Sequence, residues 1–240
     1  MSSEVQPQIP PLPSSLSMIR TLGLIAMISG LLVVMVVKYT DPIIKEKERL
    51  ALEQAVFQVI PSVDAKTATR VSFALNKDGL KRLDEHEGAG EANMYAVYDG
   101  AGKLLGIALQ AAAQGYQDVV RTLFGYNPDC QCIVGMTIMK STDTPGMGDK
   151  HTIENNKAFM ANFTALSAAL ATDQSKLAHP IEAVTHGTKT DPWQVDAISG
   201  ATISSRAIAK GLNTSAQKML PLVTHHLPVL LHNSHQANER

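Results

Sequence analysis

The chain has 240 residues, of which 45% are hydrophobic, 18% charged and 5% aromatic. Lys and Arg number 21 against 22 Asp and Glu, a formal net charge of −1. That balance argues against a nucleic-acid binder, which carries a basic excess, and the apolar fraction argues against a disordered chain.

Residues 1–20 are rich in Pro, Ser and Gln around Pro10-Pro11-Leu12-Pro13 and read as a short disordered tail. Thr21 to Val37 is a run of 17 residues without charge, 13 of them Leu, Ile, Val, Met or Ala. At 1.5 Å per residue it spans about 26 Å, slightly short of a bilayer core. Arg20 and Lys38 bracket it and can snorkel outward to extend its reach. The run lacks the polar face of a buried amphipathic helix. The Val-Val-Lys-Tyr-Thr-Asp-Pro stretch that ends it is a poor signal-peptidase site. The reading is one retained membrane helix, residues 21–37. Lys38, Lys45, Lys47 and Arg49 follow it, whereas only Arg20 and the amino terminus precede it. A positive-inside count would put the C-terminal side in the cytoplasm, but a long domain can translocate regardless, so composition leaves the side open.

Asp41-Pro42 predicts the start of a separate juxtamembrane helix within residues 38–60, with Pro at an early position. Residues 62–93 are polar and ambiguous. Met94–Tyr98 and Leu104–Leu109 flank the Gly-rich turn Asp99–Lys103 and predict a hairpin. A third strand is expected over Ile133–Met139, followed by a turn-rich loop from Ser141 to Lys150. Phe159, Phe163, Leu166 and Leu170 have helical spacing and predict a helix over Asn155–Ala171. Ile203, Ala207, Ile208, Leu212 and Met219 predict a last helix ending near Leu220. No internal repeat is visible. The fold class is α+β: one N-terminal transmembrane helix, then a soluble domain of residues 61–220 with an antiparallel sheet and flanking helices. Residues 221–240 read as a polar, His-containing tail.

The most informative stretch is Asp196-Ala-Ile-Ser-Gly-Ala-Thr202, immediately before the last predicted helix. Ser199, Thr202, Ser204 and Ser205 crowd the cap region, while Gly200 and Ala201 let backbone approach a ligand closely. Free N–H groups and the positive dipole end favour a phosphate there. An ordinary N-cap uses the same residue types. The spacing Asp-x-x-(Ser/Thr)-Gly-Ala-Thr specifies five positions, which makes a chance match rare.

This pattern resembles the attachment motif of the covalent FMN-binding domain family. That family includes the G subunits of Rnf-type ion-translocating electron-transport complexes and the C subunits of sodium-pumping NADH:quinone reductases. The G subunits are the nearer likeness, and the chain looks short for the C subunits. Thr144-Pro145-Gly146-Met147-Gly148 resembles the family's Thr-Pro-Gly-Leu-Gly loop, and Gly115-Tyr116 stands where the family also has such a pair. The family usually has Glu where this chain has Asp143, and Leu where it has Met147. A Trp common after the loop is replaced by nearby Phe159 and Phe163, and Asn127–Cys132 looks like an insertion.

The resemblance implies FMN joined by its phosphate to Thr202 through a flavin transferase. Asp196, Ser199, Gly200 and Ala201 would form the attachment turn, and Thr144 to Gly148 would lie near the ring. Backbone N–H groups of Gly146 to Gly148 would tune the flavin. It further implies an electron-carrier subunit working with other membrane and redox subunits, without a substrate pocket, catalytic residue or metal of its own. The soluble domain would face the periplasmic side of a bacterial inner membrane. The alternative from another class is a membrane-tethered FMN-binding regulatory or sensor module outside an electron-transport complex.

Other features are weaker. Two cysteines, Cys130 and Cys132, frame no disulfide scaffold and complete no zinc or iron–sulfur site. They read as two thiols in a loop or strand edge. His225, His226, His232 and His235 fall near the C-terminus, with Pro228 interrupting them, and read as part of a frayed tail. Asn162-Phe-Thr164 and Asn213-Thr-Ser215 match a glycosylation pattern too short to be informative.

Overall fold

The computed structural model describes residues 14–61, 63, 67–76, 79–83, 92–146 and 148–232. Most of the predicted N-terminal tail, Met147 and His235 lie outside the described residues. The chain divides into two units at Glu48/Arg49.

Helix α1 runs from Ser15 to Gln58 without interruption. It contains an 18-residue window of mean hydropathy 2.2 with none of its residues buried, long and apolar enough to cross a membrane. The expected break at Asp41-Pro42 does not occur, because Pro42 lies inside the helix. Proline removes one backbone donor. Local bonds support the turns around it: the Thr40 hydroxyl donates to the Val36 carbonyl at 2.8 Å, and Lys45 pairs with Asp41 at 2.7 Å.

The second unit contains a seven-stranded antiparallel sheet. Its strands are β1 (Thr69–Asn76), β2 (Gly79–Leu83), β3 (Met94–Tyr98), β4 (Leu104–Gln114), β5 (Val119–Asn127), β6 (Cys132–Lys140) and β7 (Leu166–Ser167). They lie in the order β2-β1-β3-β4-β5-β6-β7. The predicted hairpin is β3–β4. Its turn is held by the Asp99 carboxylate, which accepts from the amides of Ala101 at 2.9 Å and Lys103 at 2.8 Å. The third predicted strand is β6. Strands β1, β2 and β5 had no clear sequence signal.

The predicted helix over Asn155–Ala171 is replaced by two short helices, α2 (Lys150–Asn155) and α3 (Lys157–Ala161), followed by β7. Phe159, Phe163 and Leu166 are buried as their spacing suggested, but from separate elements. Asn156 caps α3 by accepting from the Phe159 amide at 3.0 Å. The buried Asn162 ends it, donating to the carbonyls of Phe159 and Asp196 and accepting from the Asp196 amide and Lys189 Nζ. These long-range bonds draw the backbone out of the helical path.

β8 (Glu182–Val184) and β9 (Gln194–Asp196) form a small parallel pair. Helix α4 then runs from Thr202 to His232, through Pro221 and Pro228. It outlasts the predicted end at Leu220 because Val223 and Leu230 continue its buried face. Residues 221–232 are therefore core-packed helix, which corrects the expected polar tail. Cys130 and Cys132 are joined in a disulfide at the β5–β6 turn, where two free thiols were expected.

Each sheet face is covered once. α4 packs on one face together with Phe73, Tyr98, Ile107, Phe124 and Ile138. The end of α1 and the next residues, Val56, Val59 and Ile60, pack on the other with Tyr95, Val97 and Leu123. This is two-layer burial on both sides of one sheet.

Candidate functional site

β9 and Asp196 lead into a tight turn that ends on α4. The Ala201 amide donates to the Ile198 carbonyl at 3.1 Å, and Gly200 sits at φ 84° between them. A positive φ at that position suits glycine. The Ile198 amide is held by Ser205 Oγ at 3.1 Å, and the Ser205 hydroxyl donates to the Ala201 carbonyl at 2.9 Å. Ser205 therefore pins the turn from inside the helix. Ser199 and Gly200 are exposed, Ala201 is buried and Thr202 is half-buried at the first position of α4. Among the described residues, none accepts a hydrogen bond from the amides of Thr202, Ile203 or Ser204. The helix thus starts with open donors and no side-chain cap of its own.

Asp196 is fixed on all sides. Its carboxylate accepts from the Gly187 amide at 2.6 Å and faces His186 Nδ1 at 3.3 Å, while Asn162 bonds its backbone. A small cleft of about 170 Å³ opens beside it, lined by Asn156, Phe159, His186, Asp196, Ile198 and Ser199. Ligand pockets for whole small molecules run to several hundred Å³. The cleft can hold only part of a larger ligand.

The Thr144–Gly148 loop comes to the same place. Asp143, buried at 4% exposure, accepts from Ser204 Oγ at 2.7 Å and from the Gln117 amide at 3.0 Å. Gln117 Nε2 in turn donates to Thr144 Oγ1 at 2.9 Å. Gly148, at φ 107°, lies against Ser204, and a Cβ there would overlap the Ser204 hydroxyl. Three stretches far apart in sequence, residues 115–117, 143–146 with 148, and 196–205, therefore converge at the start of α4. The Gly146 amide, expected near the ring, already donates to Asp149 Oδ1 at 2.9 Å. The Thr152 hydroxyl and then the Gly146 amide hold the Asp149 carboxyl below its usual range. Pro145 and Gly146 are exposed and Thr144 is half-buried. Tyr116 and Ile203 are large apolar side chains left mostly exposed, one in the stretch beside Asp143 and the other next to Thr202.

Sequence reading marked Asp196 and Ser199 to Thr202, together with Thr144 to Gly148. It passed over Gln117 and His186, which lie in no recognisable local pattern, and read Asn162 only as part of a glycosylation pattern, with no link to this site. Among the described residues no group of three or more His, Cys, Asp or Glu could hold a metal ion.

Residues 115–217 match the profile of the FMN-binding domain family. This stretch contains all three converging segments and is similar to FMN-binding domains. Over a longer span the chain is similar to G subunits of ion-translocating oxidoreductase complexes. It is 31% identical over 121 residues to the G subunit of Methanosarcina acetivorans, covering 50% of this chain and 55% of the relative. It is 26% identical over 197 residues to that of Shewanella baltica, covering 81% and 84%. It is 28% identical over 175 residues to the G subunit of the Na(+)-translocating ferredoxin:NAD(+) oxidoreductase complex of Acetobacterium woodii, covering 71% and 70%. The chain thus spans about half the length of the first of these relatives and more of the other two. Its fold is that of the crystal structure of Shewanella oneidensis NqrC, with a TM-score of 0.57 at 17% identity, covering 77% of this chain and 98% of that one. The C subunit of the Na(+)-translocating NADH-quinone reductase from Parabacteroides distasonis gives 0.55 at 16% identity, covering 75% and 94%.

The site fits FMN by its donor chemistry. Three amides at the start of a long helix suit a phosphate, and the exposed Tyr116 and Ile203 offer apolar surface to a planar ring.

Proposed function

We propose that this chain is the electron-carrier flavoprotein subunit of a membrane-bound, Rnf-type ion-translocating oxidoreductase complex, with FMN attached through its phosphate to Thr202. One observation carries the reading: the Thr144–Gly148 loop and the Asp196–Thr202 turn meet at an uncapped helix start inside the stretch that is similar to FMN-binding domains. Asp196, Ser199, Gly200 and Ala201 present Thr202. In this reading Thr144, Pro145, Gly146 and Gly148 lie on the ring side, with Met147 of the same motif outside the described residues. Flavin supplies one- and two-electron redox chemistry when bound. In this reading the open amides at the start of α4 hold the phosphate.

The partners follow from this reading: further membrane and redox subunits of the complex, and a flavin transferase for maturation. α1 anchors the chain in the cytoplasmic membrane, with the domain on the periplasmic side. The Cys130–Cys132 disulfide supports that side, since disulfides persist in oxidising compartments and are rare in the cytosol.

The decisive measurement is in-gel flavin fluorescence after co-expression with a flavin transferase and denaturation in SDS. The wild type should give a fluorescent band and Thr202→Ala none. An undiminished band from Thr202→Ala would refute the attachment. Protease added to intact spheroplasts should digest the domain, and full protection would reverse the topology.

A further inference from the structure

We propose that Asp143 is a positioning residue for cofactor attachment: through Ser204 it fixes the first turn of α4, and with it the Thr202 hydroxyl, against the 144–148 loop. The inference rests on the Thr202 reading above.

Asp143 is buried, yet no cation lies within ion-pair distance of it among the described residues. Burying a carboxylate without a cation is costly, and an apolar residue of similar size would fill the space more cheaply. What the carboxylate adds is direction. It accepts from two donors that belong to different parts of the chain, Ser204 Oγ on α4 and the Gln117 amide before β5. Its backbone leads directly into Thr144, whose hydroxyl accepts from Gln117 Nε2. One side chain therefore ties all three converging segments.

Ser204 is well placed to transmit this to Thr202. At about 100° per residue, two steps along a helix rotate a side chain by about 200°. Ser204 is therefore turned inward, at 1% exposure, while Thr202 lies about 200° around the helix from it and is half-buried. Gly148 leaves room for the Ser204 hydroxyl because it has no Cβ. The back of the first turn is thus clamped, and the front carries the acceptor hydroxyl and the open amides.

The reaction this serves is a group transfer with no change of oxidation state. Thr202 Oγ1 attacks the FMN-side phosphorus of a flavin dinucleotide. The Oγ1–P bond forms, the pyrophosphate P–O bond breaks, and the nucleoside monophosphate leaves with the electron pair. The hydroxyl proton passes to a base of the transferase or to solvent. Small misplacement of an attacking atom slows such steps by up to about a hundredfold.

The test uses the full chain in detergent with a flavin transferase and FAD, following flavin incorporation at varied acceptor concentration. Asp143→Asn and Ser204→Ala should lower kcat about ten- to a hundredfold while KM stays within about twofold. Asp143→Glu, which keeps the carboxylate, should recover most of the rate. A thermal melt of each variant gives its folded fraction. Wild-type kcat in both Asp143→Asn and Ser204→Ala overturns the inference. So does a loss that vanishes once rates are referred to the folded fraction. Thr202→Ala separates the two layers. If it incorporates flavin, the attachment reading fails. If it does not, while Asp143→Asn and Ser204→Ala are unimpaired, only the positioning role fails.

Discussion

Alternate residues of β3 go to opposite sides of the sheet: Met94, Ala96 and Tyr98 join the α4 side, and Tyr95 and Val97 join the side covered by the end of α1. The two sides are packed differently. On the α4 side long side chains interdigitate, and Ile208, Leu212, Met219, Leu220, Val223 and Leu230 form one apolar stripe along the helix. On the other side the approach is backbone to backbone. Gly125 and Gly135, paired across β5 and β6, lie under the Val59 carbonyl, which a Cβ at either glycine would overlap. The α4 side therefore has stability spread over many turns, and its first turn can keep unpaired amides. The α1 side concentrates its packing at one crossing and leaves no open helix start.

Breaking each side should have different consequences. Leu230 is fully buried, and its carbonyl accepts from the Tyr98 hydroxyl at 2.9 Å. Leu230→Ala should cost about 2–5 kcal/mol by removing buried apolar volume, read as a lower urea midpoint. Flavin incorporation by the folded protein should persist, because Leu230 lies at the other end of α4 from Thr202. No loss of stability would mean that the last turns of α4 are a tail after all. Gly135→Ala should cost somewhat less, about 1–3 kcal/mol for overpacking. For a domain of this size that is a fall in Tm of roughly 2–12 °C. An unchanged Tm would show that the Val59 crossing gives way freely, and the contrast between the two sides would lapse.

Legibility in the sequence follows the same division. The β3–β4 hairpin was readable because Asp99 to Lys103 is a turn by its own chemistry. β5 was not, because Val120 and Leu123 to Tyr126 are buried on both faces, which erases the polar alternation of a strand. The spacing of Phe159, Phe163, Leu166 and Leu170 is truly helical. Asn156 and Asn162 override it through caps and long-range bonds that no local pattern reveals. α4 continues through Pro221 and Pro228 past its expected end, because Leu220, Val223 and Leu230 keep helical spacing and continue its buried face. At the site, the contiguous motifs were legible as short strings. The bond between Asp143 and Ser204 joins residues 61 positions apart, and only the folded chain brings them together.

The smallest expected effect concerns alkali, and it distinguishes the two sides chemically. Burial pushes the phenols of Tyr98 and Tyr126, both on the α4 side, up to about 12 from the ordinary 10.0. The Tyr95 phenol on the other side is also raised by burial, but the Gln110 amide, 3.2 Å away, pulls it back. In the folded protein Tyr98 and Tyr126 keep their protons at pH values where the unfolded chain has lost them. Their contribution to stability is therefore complete below pH about 10 and disappears as pH rises toward about 12. Urea midpoints at pH about 8 and about 11 should fall steeply for the wild type. Tyr126→Phe should make that fall shallower, since phenylalanine has no proton to lose. Tyr95→Phe should leave the fall closer to that of the wild type. Equal slopes in Tyr126→Phe and the wild type would place the alkaline sensitivity elsewhere than the α4 side of the core.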